Sequence, residues 1–86
     1  MTTALDKKIK TQRTELAGAV FHHRTEAGWT QQALADFAGV DRKTVNRIEC
    51  GHFSPNIDTL VRLGDALDMD AYELLWDQEY KTDKRK

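Results

Sequence analysis

A dense group of hydrogen-bond donors lies in the segment 42–47, RKTVNR, which holds three cationic side chains and one amide. On a helix that turns 100° per residue, these polar residues face away from Val45 and Ile48. The outward face carries Arg42, Lys43, Asn46 and Arg47. Such side chains can donate hydrogen bonds to base edges or to phosphates in a groove wide enough to admit a helix. From residue types alone, a solvated helix face remains the more common alternative.

Histidine and cysteine side chains form the other candidate group: His22, His23, Cys50 and His52. Adjacent histidines on a helix point about 100° apart, and the single cysteine has no second cysteine at a zinc-ligand spacing. A nucleophilic role for Cys50 would require a base, an orienting group and a pocket, for which a small domain has little room. We therefore expect no metal, no cofactor and no catalytic residue.

The charge is unevenly distributed along the 86 residues, although the net charge is only −1. Residues 15–76 contain five basic and ten acidic side chains, whereas residues 1–14 and the end of the chain, KTDKRK, are mostly basic. A polarised charge of this kind orients a protein on a polyanion. Because no apolar run approaches the roughly 20 residues that cross a bilayer, and the start does not resemble a signal peptide, we expect a cytoplasmic protein with no membrane contact.

Helical periodicity extends over almost the whole chain. A first helix is predicted from about Glu15 to Ala27, with Leu16 and Val20 on its apolar face. Leu5 and Ile9 continue the same stripe backwards, which allows a longer first helix.

The segment 42–47 is predicted to lie in the second of two short helices that are joined by a turn. Thr30 is a suitable N-cap for a helix from Gln31 to Ala38, which Gly39 ends. Asp41 then caps a third helix that runs from Arg42 to about Cys50. This arrangement, over about residues 31–50, is typical of a helix-turn-helix.

The remainder of the chain predicts two more helices. A proline-containing loop, HFSPN, precedes a fourth helix with four residues on one face: Leu60, Leu63, Gly64 and Leu67. Asp70 and Glu73 have the spacing of a capping box, which predicts the start of a fifth helix. We therefore expect an all-α, compact five-helix bundle over residues 15–76, between a flexible basic N-terminal arm (1–14) and a flexible charged C-terminal tail (77–86). Phe21, Trp29 and Phe37 are spaced as core residues.

The stretch TQQALADFAGVDRKTVNRIECG resembles the helix-turn-helix of phage repressors and Cro proteins, the XRE-type family. Ala35 stands where this family needs a small residue at the helix crossing, and Gly39 stands at the turn. The resemblance covers about Leu16 to Leu75 and includes the segment SPNIDTLVRLGDAL. It implies the lambda-repressor-like fold, double-stranded DNA as the partner, and a transcriptional regulator, such as a repressor or a Cro-like protein.

The resemblance also implies residue roles. Arg42, Lys43 and Arg47 fall on positions that contact base edges, and the outward face adds Asn46. Gln31 and Thr44 fall on phosphate-contacting positions, to which the basic arm adds Arg13. Arg24 and Glu49 match a structural pair that joins the first helix to the end of the recognition helix.

Three positions depart from the family pattern. His23 replaces a common leucine and is expected to be a half-buried histidine. Gly64 replaces a usual alanine, at a cost of up to about 1 kcal/mol in helix propensity, and Asp68 replaces a usual glycine. None of these changes is expected to threaten the fold.

Proteins of this kind usually bind two DNA half-sites as a twofold-symmetric dimer, in which the recognition helices lie about 34 Å apart. We therefore expect a homodimer, whose contact is either the C-terminal group Tyr72, Leu75, Trp76 and Tyr80 or a long first helix with Leu5 and Ile9. Two other functions remain open. One is an antitoxin that binds DNA and a partner protein such as a toxin, and the other is a helical adaptor that binds only proteins.

Overall fold

The structure, a computed structural model, describes residues 3–76, and all regular secondary structure in that range is helical. The five helices are α1 (Ala4–Glu26), α2 (Gln31–Ala38), α3 (Arg42–Glu49), α4 (Ile57–Ala66) and α5 (Ala71–Leu75). The predicted all-α, five-helix architecture is therefore confirmed. Within the described range, no helix is long and apolar enough to cross a membrane.

Helix α1 begins eleven positions before the Glu15 boundary that periodicity suggested, at Ala4. Its start is fixed by a capping box, in which the Thr3 hydroxyl accepts from the Asp6 amide at 3.0 Å and the Asp6 carboxylate accepts from the Thr3 amide at 3.2 Å. No proline or glycine interrupts residues 4–14, so the helix continues into the bundle. Residues 4–14, expected as part of a flexible arm, are thus helical, while the tail 77–86 lies outside the described residues.

The α2–α3 unit has the predicted local structure. The Thr30 hydroxyl accepts from the Ala33 amide at 3.0 Å, which caps the start of α2. Gly39 ends α2 with a φ of 73°, a left-handed conformation that glycine adopts without steric cost. Asp41 occupies the N-cap position of α3, but its side chain makes no capping hydrogen bond there.

The core is built mainly from aliphatic side chains contributed by all five helices. Its largest fully buried members are Val20, Leu34, Val45, Ile48, Leu63 and Leu74. The prediction that Phe21 and Phe37 are core residues is wrong, because their side chains are 53% and 64% exposed. The Phe37 ring instead lies against the half-buried Trp29 ring, with centroids 4.5 Å apart. Helical spacing places Phe21 and Phe37 next to the apolar faces of their helices, but it does not show where the buried part of each face ends.

The turn between α4 and α5 explains why residue 64 is glycine, but it does not explain why residue 68 is aspartate. A Cβ atom at Gly64 would lie 2.6 Å from the Met69 carbonyl oxygen, so the neighbouring backbone requires glycine here. The Met69 amide donates to the Gly64 carbonyl at 2.7 Å, which holds the two segments together. Asp68 adopts a φ of 60°, the left-handed conformation for which glycine is better suited. Gly64 is therefore a packing requirement, rather than the mild propensity cost that the sequence suggested.

Candidate nucleic-acid interface

Helix α3 presents one polar face to solvent and anchors the opposite face in the core. Val45 and Ile48 are 0% and 1% exposed, and Thr44 is half-buried. The outward residues Arg42, Lys43, Asn46 and Arg47 are all exposed. Within residues 3–76, the three cationic side chains of this set form no ion pair. Their charges are therefore available to an anionic partner.

An ion pair between Arg24 and Glu49 fixes the end of α3 to α1. The guanidinium donates from Nε to Glu49 Oε2 at 2.7 Å and from Nη2 to Oε1 at 2.9 Å, and the two side chains are only 11% and 7% exposed. A third donor, Nη1, bonds the Trp29 carbonyl at 2.8 Å. The hydrogen bonds to Glu49 raise the pKa of Arg24 above its ordinary value, which favours the charged guanidinium.

Gln31 extends this ion pair into a chain of hydrogen bonds across the helix-turn-helix. Its Nε2 donates to Glu49 Oε1 at 2.9 Å, and its Oε1 accepts from Asn46 Nδ2 at 3.3 Å. The first residue of α2 is thereby tied to two successive turns of α3. The sequence predicts separate DNA contacts for Gln31 and Asn46 but not their pairing, because residues that far apart in the chain meet only through the crossing of α2 and α3.

Arg13 lies apart from this group. Its Nε donates to Ser54 Oγ at 2.7 Å, in the loop between α3 and α4. It lines an apolar hollow of about 230 Å³ whose wall includes Phe53 and Leu75. A second hollow, of about 360 Å³, lies beside the recognition helix and is lined by Asn46, Arg47, Cys50, His52 and Phe53. Phe53 lines both hollows, whereas Arg13 lines only the first, and Asn46 and Arg47 line only the second.

The histidine and cysteine residues do not assemble into a ligand set. Among residues 3–76, no three side chains of the histidine, cysteine, aspartate or glutamate types are placed to hold a metal ion. His22 and His23 are half-buried, and their rings pack edge to face with centroids 4.9 Å apart. Cys50 is exposed, and its Sγ lies 3.8 Å from Asn46 Oδ1.

The two alternative dimer surfaces are neighbours in the fold. Helix α1 packs against α5, where Gln12 Nε2 donates to the Leu75 carbonyl at 2.9 Å. Leu5 and Ile9 on α1 are 65% and 42% exposed. Tyr72 and Trp76 at α5 are 68% and 57% exposed, whereas Leu75 is half-buried. Tyr80 lies outside the described residues.

Comparison with known proteins places this arrangement among helix-turn-helix proteins. Residues 23–74 match the family HTH_3, described as "Helix-turn-helix". An uncharacterized HTH-type transcriptional regulator of Methanothermobacter thermautotrophicus is 39% identical over 51 residues, which cover 59% of this chain and 74% of that protein. The SPbeta prophage-derived uncharacterized HTH-type transcriptional regulator YonR of Bacillus subtilis is 36% identical over 52 residues, covering 60% of this chain. The match spans only 48% of the Bacillus protein, about half its length.

A solved structure shows the same fold. The restriction-modification controller protein C.AhdI of Aeromonas hydrophila superposes with a TM-score of 0.70 at 28% sequence identity. The superposition covers 74% of this chain and 97% of that protein.

Proposed function

The chain belongs to the HTH_3 helix-turn-helix family of DNA-binding transcriptional regulators, and we propose that it is a sequence-specific repressor that places α3 in the major groove of double-stranded DNA. The observation that carries this proposal is the division of α3 into a buried apolar face and an exposed face with three cations that form no ion pair within residues 3–76. A helix held rigidly from behind can present its outward side chains at a fixed depth in a groove.

The proposed contacts divide by chemistry. Arg42 and Arg47 carry planar donor pairs that can bind guanine O6 and N7 together, and Lys43 can serve a base or a phosphate. Gln31 at the start of α2 and Thr44 on α3 are suited to phosphate oxygens, as the family resemblance implies. We propose that Arg13, which bonds Ser54 in the loop between α3 and α4, binds a separate phosphate.

The test is selection of bound sequences from a random duplex pool, followed by titrations against the selected site and a scrambled duplex at equal salt. Arg47→Ala should lose about 1 to 3 kcal/mol of binding on the selected site and little on the scrambled one, because a base contact carries discrimination. Gln31→Ala is the matched control and should weaken both equally, because a phosphate contact carries none. Equal losses for Arg47→Ala would contradict its base-contacting role.

The salt dependence tests the electrostatic part of the proposal. A dimer with about six phosphate contacts should show a slope near −5 in log K against log salt, since each contact contributes about −0.9. A flat salt response would contradict DNA binding and would favour an adaptor that binds only proteins.

We propose that the active form is a homodimer, joined through the surface that α1 and α5 form together. This surface carries four exposed apolar side chains: Leu5, Ile9, Tyr72 and Trp76. Exposed apolar side chains grouped on two neighbouring helices are typical of a contact between subunits. In sedimentation equilibrium, Tyr72→Ser and Trp76→Ser should raise the dissociation constant, while Phe37→Ser, which changes an exposed aromatic residue elsewhere, should not. A monomeric wild-type chain at high concentration would contradict the dimer.

A further inference from the structure

Resting on the proposed function, we infer that Asn46 is a positioning residue, which holds the Gln31 side chain in the orientation that binds a DNA phosphate, rather than a base-contacting residue. Asn46 is exposed on the outward face of α3, so residue type and position alone favour a base contact. The hydrogen bonds around it support a different role.

The orientation of the Gln31 amide follows from its two partners. Glu49 is a carboxylate that can only accept hydrogen bonds, so the Gln31 amino group must face it. Gln31 Nε2 accordingly lies 2.9 Å from Glu49 Oε1. The Gln31 carbonyl then points the other way and accepts from Asn46 Nδ2 at 3.3 Å. One of the two Nε2 protons is used by Glu49, which leaves the second available for a phosphate oxygen.

Asn46 is itself held in the orientation that this contact needs. The thiol of Cys50 lies 3.8 Å from Asn46 Oδ1, one helical turn further along α3, and provides a weak donor to that oxygen. The Asn46 amino group therefore faces Gln31. The order of contacts runs from Arg24 through Glu49 and Gln31 to Asn46, so the phosphate-facing amide is fixed at both ends.

This arrangement has a consequence for DNA binding. Because the Gln31 amide is hydrogen-bonded at both its nitrogen and its oxygen, it loses little conformational freedom when it binds a phosphate. A glutamine side chain that rotates freely would lose more. Without Asn46, Gln31 would keep only its contact to Glu49. The loss should then affect every duplex alike, because phosphates carry no sequence information.

The experiment compares Asn46→Ala with the wild type on the selected and scrambled duplexes. Asn46→Ala should weaken binding about three- to tenfold on both duplexes without changing the selected sequence. In a Gln31→Ala background, Asn46→Ala should have almost no further effect. A relaxed preference at one base pair would overturn the inference in favour of a base contact, and unchanged or independently additive affinity would overturn it as well.

A measurement without DNA separates this inference from the proposed function. In the free protein, Asn46→Ala should move the NMR signals of the Gln31 side-chain amide towards those of a freely rotating glutamine, whereas Lys43→Ala should leave them in place. Unmoved Gln31 signals would overturn the positioning role even if the wild type binds DNA. If the wild type binds no duplex, the proposed function as a DNA-binding regulator is refuted, and so is the role of Gln31 in binding phosphate. The NMR signals would still show whether Asn46 holds the Gln31 side chain.

Discussion

Replacing Glu49 should destabilise the protein far more than the loss of an ordinary surface charge. Its carboxylate is 7% exposed and accepts three hydrogen bonds, at 2.7 and 2.9 Å from Arg24 and at 2.9 Å from Gln31. Glu49→Ala would leave the Arg24 guanidinium, itself 11% exposed, without its counter-charge. Breaking a buried ion pair from one side costs about 3 to 5 kcal/mol, whereas an exposed pair is worth under about 1 kcal/mol.

Two further variants separate the charge from the shape of the site. Glu49→Gln keeps the size of the side chain and one acceptor oxygen, so it should lose about 1.5 to 3 kcal/mol, the range for a hydrogen bond to a charged group. It also keeps the test usable if the alanine variant does not fold. Combining Arg24→Met with Glu49→Leu removes both charges together and should cost less than either single change, because no charge is left buried alone.

The assay is urea unfolding followed by helical circular dichroism, at low and at molar salt. The slope of the free energy of unfolding against urea should be the same for all variants, so that the midpoints report stability alone. Salt should change the cost of Glu49→Ala little, because a pair this far from solvent is weakly screened. A cost below about 1 kcal/mol, or one that disappears in molar salt, would refute the reasoning from burial.

Other predictions concern the helix ends and the α4–α5 turn, and all are measured by urea unfolding. Gly64→Ala should destabilise by about 1 to 3 kcal/mol despite the better helix propensity of alanine, because the new Cβ would meet the Met69 carbonyl; a more stable variant would contradict this packing argument. Asp68→Gly should stabilise by up to about 1 kcal/mol, since φ is positive there, and an unchanged midpoint would count against strain at this residue. Asn56→Ala should cost about 1 kcal/mol, because the Asn56 side chain caps α4 by accepting a hydrogen bond from the Thr59 amide at 2.8 Å. Asp41→Ala removes no capping hydrogen bond and should cost less; equal costs would contradict this distinction.

Much of the site could be predicted because its signals are local. Thr30 and Gly39 mark the two ends of α2 through a side-chain cap and a left-handed backbone, and both properties belong to the residue itself. The separation of polar and apolar residues on α3 follows from helical spacing, which is why Val45 and Ile48 were correctly expected to be buried.

Positions whose role depends on a neighbour in space were predicted less well. The exposure of Phe21 and Phe37 depends on how far the packed surfaces of α1 and α2 extend. The spacing of apolar residues along a helix does not specify the width of that packed surface. The start of α1 is a different kind of miss, because its signal is local: the basic composition of residues 1–14 predicted an arm, although Thr3 and Asp6 have the spacing of a capping box. The capping box at Thr3 instead starts the helix at Ala4.

The sequence by itself determined the helical class of the fold, both ends of α2, the family resemblance and the face of α3 that meets solvent, because each depends on residues within one or two turns of one another. Only the tertiary structure decided that Gly64 is required by the Met69 carbonyl, and that Gln31 and Asn46 bind each other between α2 and α3. These contacts join residues through the crossing of separate elements. A hydrogen bond or a steric clash depends on distances of a few tenths of an ångström, which helical periodicity does not specify.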